Sequence, residues 1–504
     1  MHGIEESRGG LLKINAQLNE LLGDPEMRVA VVGAIEELVD YARADVSDNV
    51  LDAESEALMR SRRILRKLFE LKLQRELDRH DAAISRCPIR CAKCEGVMPS
   101  QGRRERRWSS CLGELRLRRR YSYCAVCKHG RAPSQDVLGL GASEFTPHLE
   151  EVCTLMSTTV PFDMARDLVH QVCGAELSTK GVQEISDRRG TEVLKRLHTE
   201  ADIHQPFDDS GLPREPAERP SGTCDEGAAP RRAYVEIDGV IPMTRVEIDA
   251  SKLSDIDRAR QARAKTNKVR GGKGKRFTIV GREVKNAVLY SGEACAQTSI
   301  GRGCLIDKRY VSHLGGWEEF ARRVWAEVRR LRFDEASELV IISDGAEWIR
   351  SVAKWLPVKC ILILDLFHVK HRIWEAAHAL FGQNAKASAW AKRQCARVED
   401  GRAAGVIETL EQTTTERAEP REIVRLLVHY LRSNKDRMNY PVYRAAGLRV
   451  GSGAVESANF HVTGARLKLQ GMRWSADGAT QMAALRADLF NGRHFERSRQ
   501  LLAA

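Results

Sequence analysis

The sequence predicts a mixed α/β protein in which an α/β core follows helical and metal-binding regions. Three observations lead to this prediction. Short apolar runs that end on an acid occur from residue 234 onward, at 234–238 and 339–344. Two Cys-x-x-Cys pairs occur in the first half, at 91–94 and 124–127. Around them, apolar residues recur at spacings of three and four, which is typical of amphipathic helices.

Composition limits the class of protein. A chain of 504 residues holds several domains of ~100–200 residues each. The N-terminus is polar and acidic and no apolar run reaches ~18 residues, so we expect a cytoplasmic protein without a signal peptide or membrane span. The formal net charge of +12 favours a polyanionic partner, although a merely soluble basic protein also fits it.

Residues 1–86 are predicted to be helical, with apolar-faced helices at 11–22, 29–38 and 52–83. The last of these helices is dense in basic residues. A solvated helix face and a DNA contact explain that density equally well. The basic residues are Arg60, Arg62, Arg63, Arg66 and Lys67.

Residues 87–140 are predicted to form a zinc ribbon. The ligands would be two thiolate pairs, Cys91 with Cys94 and Cys124 with Cys127. From Leu115 the intervening segment alternates apolar and basic residues, the period of a half-buried strand. Two pairs at the ends of a hairpin can close a tetrahedral Zn²⁺ site of structural type, because four thiolates leave no open position. The arginine-rich strands are a plausible phosphate surface.

Residues 141–204 are predicted to be helical and helix-turn-helix-like. One helix ends at Gly174 and the next begins with a cap at Ser178 or Thr179. An ordinary helical hairpin remains an equal alternative. Proline-rich residues 205–231 read as a linker.

Residues 232–369 are predicted to begin the catalytic core. The expected elements are strands at 232–239, 243–249 and 284–291, a helix at about 312–330, a strand at 338–343, a short helix, and a strand at 359–364. Three meandering strands followed by helix, strand, helix and strand are the element order of an RNase H-like domain. The basic segment 257–276 is expected to order on DNA.

Residues 370–450 are predicted to be an all-helical insertion, and 451–504 to hold the last catalytic helix and a basic C-terminal tail. The helix should pack on the sheet through an apolar stripe. The stripe consists of Val455, Ala458, Val462, Ala465 and Leu469. Phosphate and base contacts are expected from Arg466, Lys468, Arg473 and Trp474.

Three acids are predicted to form the catalytic site. Asp238 and Asp344 each follow an apolar strand at a Gly turn, and Glu456 opens a helix after a Gly-rich loop. Carboxylates gathered at strand ends are the ligands that a pair of Mg²⁺ (or Mn²⁺) ions needs. An Asp-Gly pair alone is by default a turn, so the prediction depends on all three acids together.

Other acids compete for these positions. Glu236 shares a strand face with Asp238, Asp249 ends the second predicted strand, and Asp365 follows an apolar strand and is an alternative to Asp344. Two kinds of role are open for His368. It takes part in the site, where it orients an acid or contacts the phosphate at which a nucleic acid would be cut, or it is a helix-start histidine that is hydrogen-bonded within the core.

Four motifs resemble those of bacterial insertion-sequence transposases of the DDE class. They are Glu-Ile-Asp-Gly, Ser-Asp-Gly-Ala-Glu-Trp, Asp-Leu-Phe-His and Gly-Ser-Gly-Ala-Val-Glu-Ser. The resemblance is greatest to the Kra-type (ISKra) family, which is related to the Mutator-like transposases. It extends over roughly residues 87–490.

The resemblance implies a transposase that binds the terminal inverted repeats of its element and uses a DDE triad for Mg-dependent DNA cleavage and strand transfer. The implied triad is Asp238, Asp344 and Glu456, with Asp365 and His368 matching a (Cys/Asp)-x-x-His motif. The implied partners are double-stranded DNA of element ends and target, and further copies of the chain in a nucleoid-associated homo-oligomer. A zinc-ribbon and helix-turn-helix regulator with an inactive RNase H-like domain is the alternative, and an RNase H-like nuclease acting on RNA or junctions is a third possibility.

Overall fold

The computed structural model describes most of the chain. The described ranges are 23–44, 49–84, 88–141, 143–219, 229–247, 277–297 and 303–493. Several expectations lie outside them: the helix at 11–22, the basic segment 257–276, Asp249 and the end of the tail. Within the described ranges, no helix is long and apolar enough to cross a membrane.

The chain folds as a mixed α/β protein with several sheets and divides into two compact units. The first unit ends at Ser186 and the second begins at Asp187. The finer division into seven regions stays a prediction.

The first unit opens with helices α1 (Pro25–Arg43) and α2 (Val50–Ile84). A hairpin of β1 (Ser100–Ser110) and β2 (Gly113–Cys124) follows, and β3 (His129–Arg131) pairs only with the end of β2. The hairpin packs on α2 through a small apolar core. Its fully buried members are Leu77, Trp108, Leu115 and Leu117.

Helix α2 covers the edge of β2 that β3 leaves open. Its side chains accept hydrogen bonds from the N–H groups of alternate strand residues. Arg116 donates to Glu70 (2.9 Å), Arg118 to Gln74 (2.8 Å) and Arg120 to Asp81 (2.8 Å). The acceptors are four and seven residues apart, which places them on one helix face. An exposed strand edge is thereby closed.

The basic residues of α2 are engaged within the first unit. Arg60 pairs with Glu56, Arg62 with the carbonyl of Val172, Arg63 with Glu37, Arg66 with the carbonyl of Glu114, and Lys67 with Glu70. These contacts favour a structural role for this helix face over direct DNA contact.

Four helices follow the hairpin: α3 (Pro133–Val137), α4 (Pro147–Thr159), α5 (Phe162–Cys173) and α6 (Thr179–Ile203). Gly174 ends α5 with a φ of 67°, a left-handed conformation that glycine adopts without cost. The Ser178 hydroxyl accepts from the N–H of Gly181 at the start of α6, as predicted for a cap. The helix-turn-helix-like assignment stays a prediction.

The second unit is built on a five-stranded sheet. Its described strands are β4 (Arg232–Val240), β5 (Met243–Glu247), β6 (Phe277–Gly281), β7 (Val284–Ser291), β8 (Cys295–Gln297), β9 (Gly303–Leu305), β10 (Arg309–Leu314), β11 (Glu338–Ser343), β12 (Cys360–Leu364) and β13 (Trp474–Ser475). The main sheet has the order β10-β7-β4-β11-β12. Strands β10, β7 and β4 are antiparallel neighbours, whereas β4, β11 and β12 run parallel.

The predicted meander was wrong in one strand. Strand β5 does not join β4 but pairs with β6 and β13 in a separate sheet, while β7 and β10 occupy the second and third places. Alternating side chains identify a strand but not its partner. The helix predicted from about 312 begins at Trp317 instead. Strand β10 continues to Leu314, and Gly315 and Gly316 separate it from the helix.

The two faces of the main sheet are covered by different helices. Val235 and Ile237 of β4 face a core formed with α7 (Trp317–Arg330) and α8 (Glu347–Trp355). Tyr234, on the opposite face, belongs to a larger helical core. Helices of that larger core are α9 (Leu366–Phe381), α10 (Ala385–Glu399), α11 (Ala403–Glu411), α12 (Ala418–Ser433) and α13 (Tyr440–Ala445).

The last segment is not the single helix that was predicted. Helix α14 (Gly453–Ala458) passes into a π-helical turn (Asn459–Gly464) and then into α15 (Ala465–Leu467), before β13 and α16 (Ala476–Phe490).

The π turn changes which residues face the core. It contains an extra residue and so shifts the helical phase by about 100°. Beyond it Ala465 and Leu469 are exposed, whereas Leu467 and Arg466 are buried. Arg466 stacks over buried Trp474, so neither is available for the predicted phosphate and base contacts.

Candidate active site and metal centres

Three parallel strands end in register on three aspartates. Ile237 of β4 pairs with Ser343 of β11, and Ser343 pairs with Leu364 of β12. The next residues along these strands are Asp238, Asp344 and Asp365. The three aspartates therefore follow neighbouring strands at one edge of the sheet. We call Asp238, Asp344 and Glu456, with Asp365 and His368, the carboxylate site.

Asp238 is partly buried and has an unusual pKa. Burial, together with the negative charges of Asp344 and Glu456, raises its pKa to about 6. Its Oδ1 accepts from the N–H of Gly239 (2.7 Å), and its Oδ2 accepts from Asn459 (2.6 Å). Asp238 lies among other acids and, within the described part of the chain, forms no ion pair with lysine or arginine.

Asp344 begins a tight turn after β11. Its Oδ1 accepts from the N–H of Ala346 (3.0 Å), and its carbonyl accepts from the Tyr430 hydroxyl of α12 (2.7 Å). Gly345 has a φ of 97°, and a Cβ there would lie 2.7 Å from Leu364 and 3.1 Å from Tyr430. Glycine is therefore required for both conformation and space.

Asp365 is fully buried and caps helix α9. Its Oδ1 accepts from the N–H groups of Phe367 (2.6 Å) and His368 (3.3 Å). Its Oδ2 accepts from the N–H of Ser452 (3.0 Å) and from the Ser452 hydroxyl. Burial alone would raise the pKa of Asp365, but the hydrogen bonds from His368 and Ser452 outweigh it and lower the pKa.

His368 lies between two carboxylates. Its Nδ1 is 3.3 Å from Asp365 Oδ2 and 3.8 Å from Glu456 Oε1. The hydrogen bond with Asp365 is the main cause that raises the pKa of His368, and the charges of Asp238 and Asp344 add to it. A protonated imidazole here offsets part of the negative charge of the site.

Glu456 is positioned by a loop that other acids hold. The Glu236 side chain is buried, and its Oε2 accepts from the N–H groups of Ala454 (2.8 Å) and Val455 (2.9 Å). Asp365 holds Ser452 in the same loop. The Glu456 side chain itself remains 51% exposed. Two buried carboxylates thus anchor the loop that presents an accessible third acid.

Glu236 is a structural acid and not a competitor of Asp238. Its Oε1 accepts from the Tyr290 hydroxyl (2.5 Å), so both of its oxygens are engaged. Burial raises the pKa of Glu236, although the hydrogen bonds from Tyr290 and from the N–H groups of Ala454 and Val455 lower it. The sequence indicated the shared strand face but not the partners, which lie far along the chain.

Three residues of the carboxylate site have the donor set of a divalent-cation site, and neither Asp238 nor Asp344 belongs to this close group. Asp365, His368 and Glu456 offer ligand atoms within 4.8 Å of one another. We regard Asp365 as the weaker ligand of this group, because it is fully buried and both its oxygens already accept hydrogen bonds. Asp238, Asp344 and Glu456 keep unused oxygen lone pairs, which hard cations such as Mg²⁺ prefer.

Cys91, Cys94, Cys124 and Cys127, here called the cysteine site, also converge. Their sulfur atoms lie within 4.8 Å of one another, as the spacing predicted. Four thiolates in this arrangement suit tetrahedral Zn²⁺. A zinc-ribbon assignment for the surrounding strands stays a prediction.

The two Cys-x-x-Cys pairs have matching local conformations. Backbone N–H groups of Lys93 and Cys94 point at the Cys91 sulfur and are the main cause that lowers its pKa to about 6. The N–H of Cys127 likewise points at the Cys124 sulfur (3.4 Å). A residue with positive φ follows each pair, Glu95 at 58° and Lys128 at 51°.

Sequence reasoning missed Asn459, which donates to Asp238. The residue lies three positions after Glu456, on the same side of a helix, and that spacing was the available signal. The contact itself joins residues 221 positions apart and depends on the π turn.

Comparisons with known proteins give limited information. Residues 281–501 are similar to a family described as "Uncharacterised protein family (UPF0236)". No curated protein matches the chain. Among solved structures, the Drosophila P element transposase strand transfer complex has 8% sequence identity over 72% of this chain and 83% of that chain, with a TM-score of 0.20. A likeness this remote does not establish a shared fold, so function depends on the residues of the chain itself.

Proposed function

We propose that the chain is a metal-dependent DNA strand transferase, a transposase whose catalytic acids are Asp238, Asp344 and Glu456. One observation carries the proposal. Asp238 and Asp344 follow neighbouring parallel strands in register. Glu456 lies in helix α14, whose start is anchored to β4 through Glu236 and to the end of β12 through Asp365.

The sheet supports an RNase H-like assignment of the core. Three antiparallel strands are followed by two parallel strands in the order β10-β7-β4-β11-β12, with helices on both faces. In chain order, β4 is the first strand of the main sheet and β11 the fourth, and the two are neighbours. This pairing brings together acids that are more than a hundred residues apart in sequence. All regular elements of residues 366–445, a range described without a gap, are helical, in agreement with an insertion between the second and third acids.

Residues around the three acids position them and offset part of their negative charge. Asp238, Asp344 and Glu456 would bind two divalent cations, Mg²⁺ or Mn²⁺, which when bound lower the pKa of an attacking water or 3′-hydroxyl and stabilise the leaving 3′-oxyanion. Asp365 positions the Glu456 loop. Asp365 also raises the pKa of His368, which supplies positive charge beside Glu456 when it is protonated.

Exposed features support nucleic acid as the substrate class. Besides the net charge of +12, several arginines of the β1–β2 hairpin are exposed, among them Arg104, Arg107 and Arg118. Phe367 and Phe460 are 62% and 67% exposed and belong to the segments that carry His368 and Glu456. Exposed aromatic rings beside phosphate-binding groups can stack on bases.

The proposal includes a structural Zn²⁺ at the cysteine site, duplex DNA of element ends and target as substrate, and more than one copy of the chain to hold two ends. The Zn²⁺ would stabilise the first unit and take no part in strand transfer, because its four thiolates leave no ligand position open.

The test is a strand-transfer assay. The purified full chain is incubated with a plasmid that carries its gene and the flanking DNA on both sides, with Mg²⁺, Mn²⁺ or EDTA. We expect metal-dependent 3′ ends at defined boundaries and joined products. Asp238→Asn, Asp344→Asn and Glu456→Gln should each abolish them, whereas Glu408→Gln, which changes an exposed acid outside the site, should not.

The same assay separates the alternatives. Binding of the boundary DNA without cleavage in any metal would favour a DNA-binding regulator. Cleavage without dependence on the boundaries, and without joining, would favour a nuclease. Cleavage that survives all three acid substitutions would contradict the assignment of the active site.

A further inference from the structure

A chain of polar side chains crosses the main sheet and ends at Asp238. In the strand register Asp238 lies opposite Asn286 of β7, and Asn286 lies opposite Ser312 of β10. Asn459 completes the chain from the π turn: it donates to Asp238 (2.6 Å) and accepts from Asn286 Nδ2 (2.7 Å). Cross-strand neighbours on one face are close enough for such contacts.

Hydrogen-bonding capacity sets the direction of this chain. An ionised carboxylate only accepts, so Asn459 must turn its NH₂ group to Asp238 and its oxygen to Asn286. Asn286 must then turn its NH₂ group to Asn459 and its oxygen to hydroxyl donors. Those donors are Ser312 (2.6 Å) and Thr463 (3.0 Å).

Burial strengthens the constraint. Asn286 is 2% exposed, Ser312 4% and Thr463 0%. Where solvent is excluded, an amide turned the wrong way would face acceptor with acceptor and donor with donor, and water would not correct the mismatch. Each amide therefore has one satisfactory orientation: the acceptor-only carboxylate of Asp238 determines it, and the hydroxyls of Ser312 and Thr463 satisfy the far end.

The π turn is the second observation. It spans Asn459–Gly464, and a Cβ at Gly464 would lie 2.7 Å from the carbonyl oxygen of Asn459. Real Cβ atoms do not approach backbone oxygens this closely, so glycine permits the wide turn that presents Asn459 to Asp238. π turns are rare and occur frequently at functional sites.

We propose that Asn459 is a positioning residue for the catalytic site: it fixes the orientation of the Asp238 carboxylate, and its own amide is held in place by Asn286, which Ser312 and Thr463 hold in turn. The inference rests on the proposed function of Asp238 as a metal ligand. Gly239 N–H and Asn459 each engage one oxygen of Asp238, and each oxygen keeps a lone pair for a cation.

The test measures metal binding directly. Mn²⁺ binding to the full chain without DNA is followed by titration calorimetry and by electron paramagnetic resonance. Asn459→Ala removes the donor, and we expect the Mn²⁺ dissociation constant to rise roughly tenfold or more, as for other groups that orient metal ligands. In the strand-transfer assay the half-saturating Mg²⁺ concentration should rise in parallel, with a smaller change in rate at saturating metal.

A second variant tests the direction of the chain without touching the site. Asn286→Asp keeps the shape of the side chain but replaces its NH₂ group with an acceptor. The Asn459 amide would then face an acceptor on each side, so its oxygen must oppose either residue 286 or Asp238. We expect the same loss of Mn²⁺ affinity as in Asn459→Ala, although residue 286 does not contact the metal ligand.

Two controls separate positioning from general stability. Asn491 uses its amide to bind both backbone groups of Tyr310, so Asn491→Ala should lower the melting temperature but leave Mn²⁺ affinity unchanged. Thr463→Val removes one of two donors to Asn286 and should have a small effect. Unchanged Mn²⁺ binding in folded Asn459→Ala and Asn286→Asp would overturn the proposal. Unchanged binding in Asp238→Asn would show that the metal site itself is wrong, and the role of Asn459 would fall with it.

Discussion

The two candidate metal centres are built in opposite ways. The cysteine site comes from two four-residue segments, 91–94 and 124–127. In each segment, backbone N–H groups point at the sulfur of the segment's first cysteine. The carboxylate site is assembled by contacts between distant segments, such as the hydrogen bond that the N–H of Ala454 donates to Glu236, 218 residues away. A local site can be recognised from spacing, whereas a distributed site depends on the fold of the whole second unit.

The largest effect is expected at the cysteine site. Cys124→Ser removes one of four thiolates, and structural Zn²⁺ binding contributes about 10–16 kcal/mol in small zinc domains. We expect loss of bound zinc and of cooperative unfolding of the first unit. Metal analysis and calorimetry measure these. Mn²⁺ binding at the carboxylate site should be unchanged, and a parallel loss would contradict the independence of the two centres.

Asp344→Asn should impair the carboxylate site and leave the cysteine site intact. Strand transfer should fall by roughly 10³-fold or more, which corresponds to about 4 kcal/mol of transition-state stabilisation. Zinc content should remain that of the wild-type chain, because the change is confined to the second unit. Rates of cleavage and zinc analysis on the same preparation measure both. A variant that transfers strands at the wild-type rate would show that another acid, Asp365 above all, takes this place.

Glu236→Gln tests the anchor of the Glu456 loop. Gln keeps one oxygen for the two backbone N–H groups, and its NH₂ group can donate to the Tyr290 hydroxyl. The hydrogen bonds are then no longer made to a charged acceptor, so we expect a loss of about 1 kcal/mol in the free energy of unfolding. Urea denaturation measures it. Tyr290→Phe, which removes only one of the three donors, is the matched control and should lose less. Equal stability of Glu236→Gln and the wild-type chain would contradict the role of Glu236 as an anchor.

Asp238→Asn should stabilise the metal-free chain at neutral pH. The folded-state pKa of Asp238, about 6, lies above its ordinary value of 3.8. The stability associated with the protonated acid is complete below about pH 4 and is lost as the pH rises through 6. At pH 8 the variant should exceed the wild-type chain by up to about 2 kcal/mol, and the difference should shrink toward pH 4.

Thermal unfolding in EDTA at several pH values checks this. Saturating Mn²⁺ should reverse the order at pH 8, because only the wild-type site keeps its ligand. A difference between variant and wild type that is independent of pH would show that Asp238 does not titrate in this range.

The smallest effect concerns the two residues after the cysteine pairs. Glu95→Gly and Lys128→Gly should each stabilise the zinc-bound chain by up to about 1 kcal/mol, because both positions have positive φ, which glycine adopts freely. Lys93→Gly, at a described position without positive φ, should destabilise instead. Thermal unfolding with bound zinc distinguishes these outcomes.

The features that could be predicted from the sequence are the local ones, and those that could not depend on contacts between distant segments. Cys91, Cys94, Cys124 and Cys127 converge as their spacing predicted, and Asp238 and Asp344 follow apolar strands. The partner of another strand was not predictable: a strand was expected at about 243–249, but the pairing of β5 with β6 and β13 depends on residues elsewhere in the fold.

The last catalytic segment shows a further limit. A uniform helical period from Val455 to Leu469 predicted one stripe, and the π turn at Asn459–Gly464 shifts it. Burial of Arg466 against Trp474 follows from that shift. The roles of Glu236 and Asn459 were also hidden, because each depends on a partner more than two hundred residues away.

The anchoring of the Glu456 loop by Glu236 has a consequence for folding kinetics. Contacts between segments so distant in sequence carry a large loop-closure cost and form late, after the local helices and hairpins. During refolding, tryptophan burial in the sheet core should therefore precede the appearance of Mn²⁺ affinity. A partly folded chain would hold Asp238 and Asp344 at neighbouring strand ends without Glu456, so the proposed DNA-cutting activity would arise only in the last step of folding.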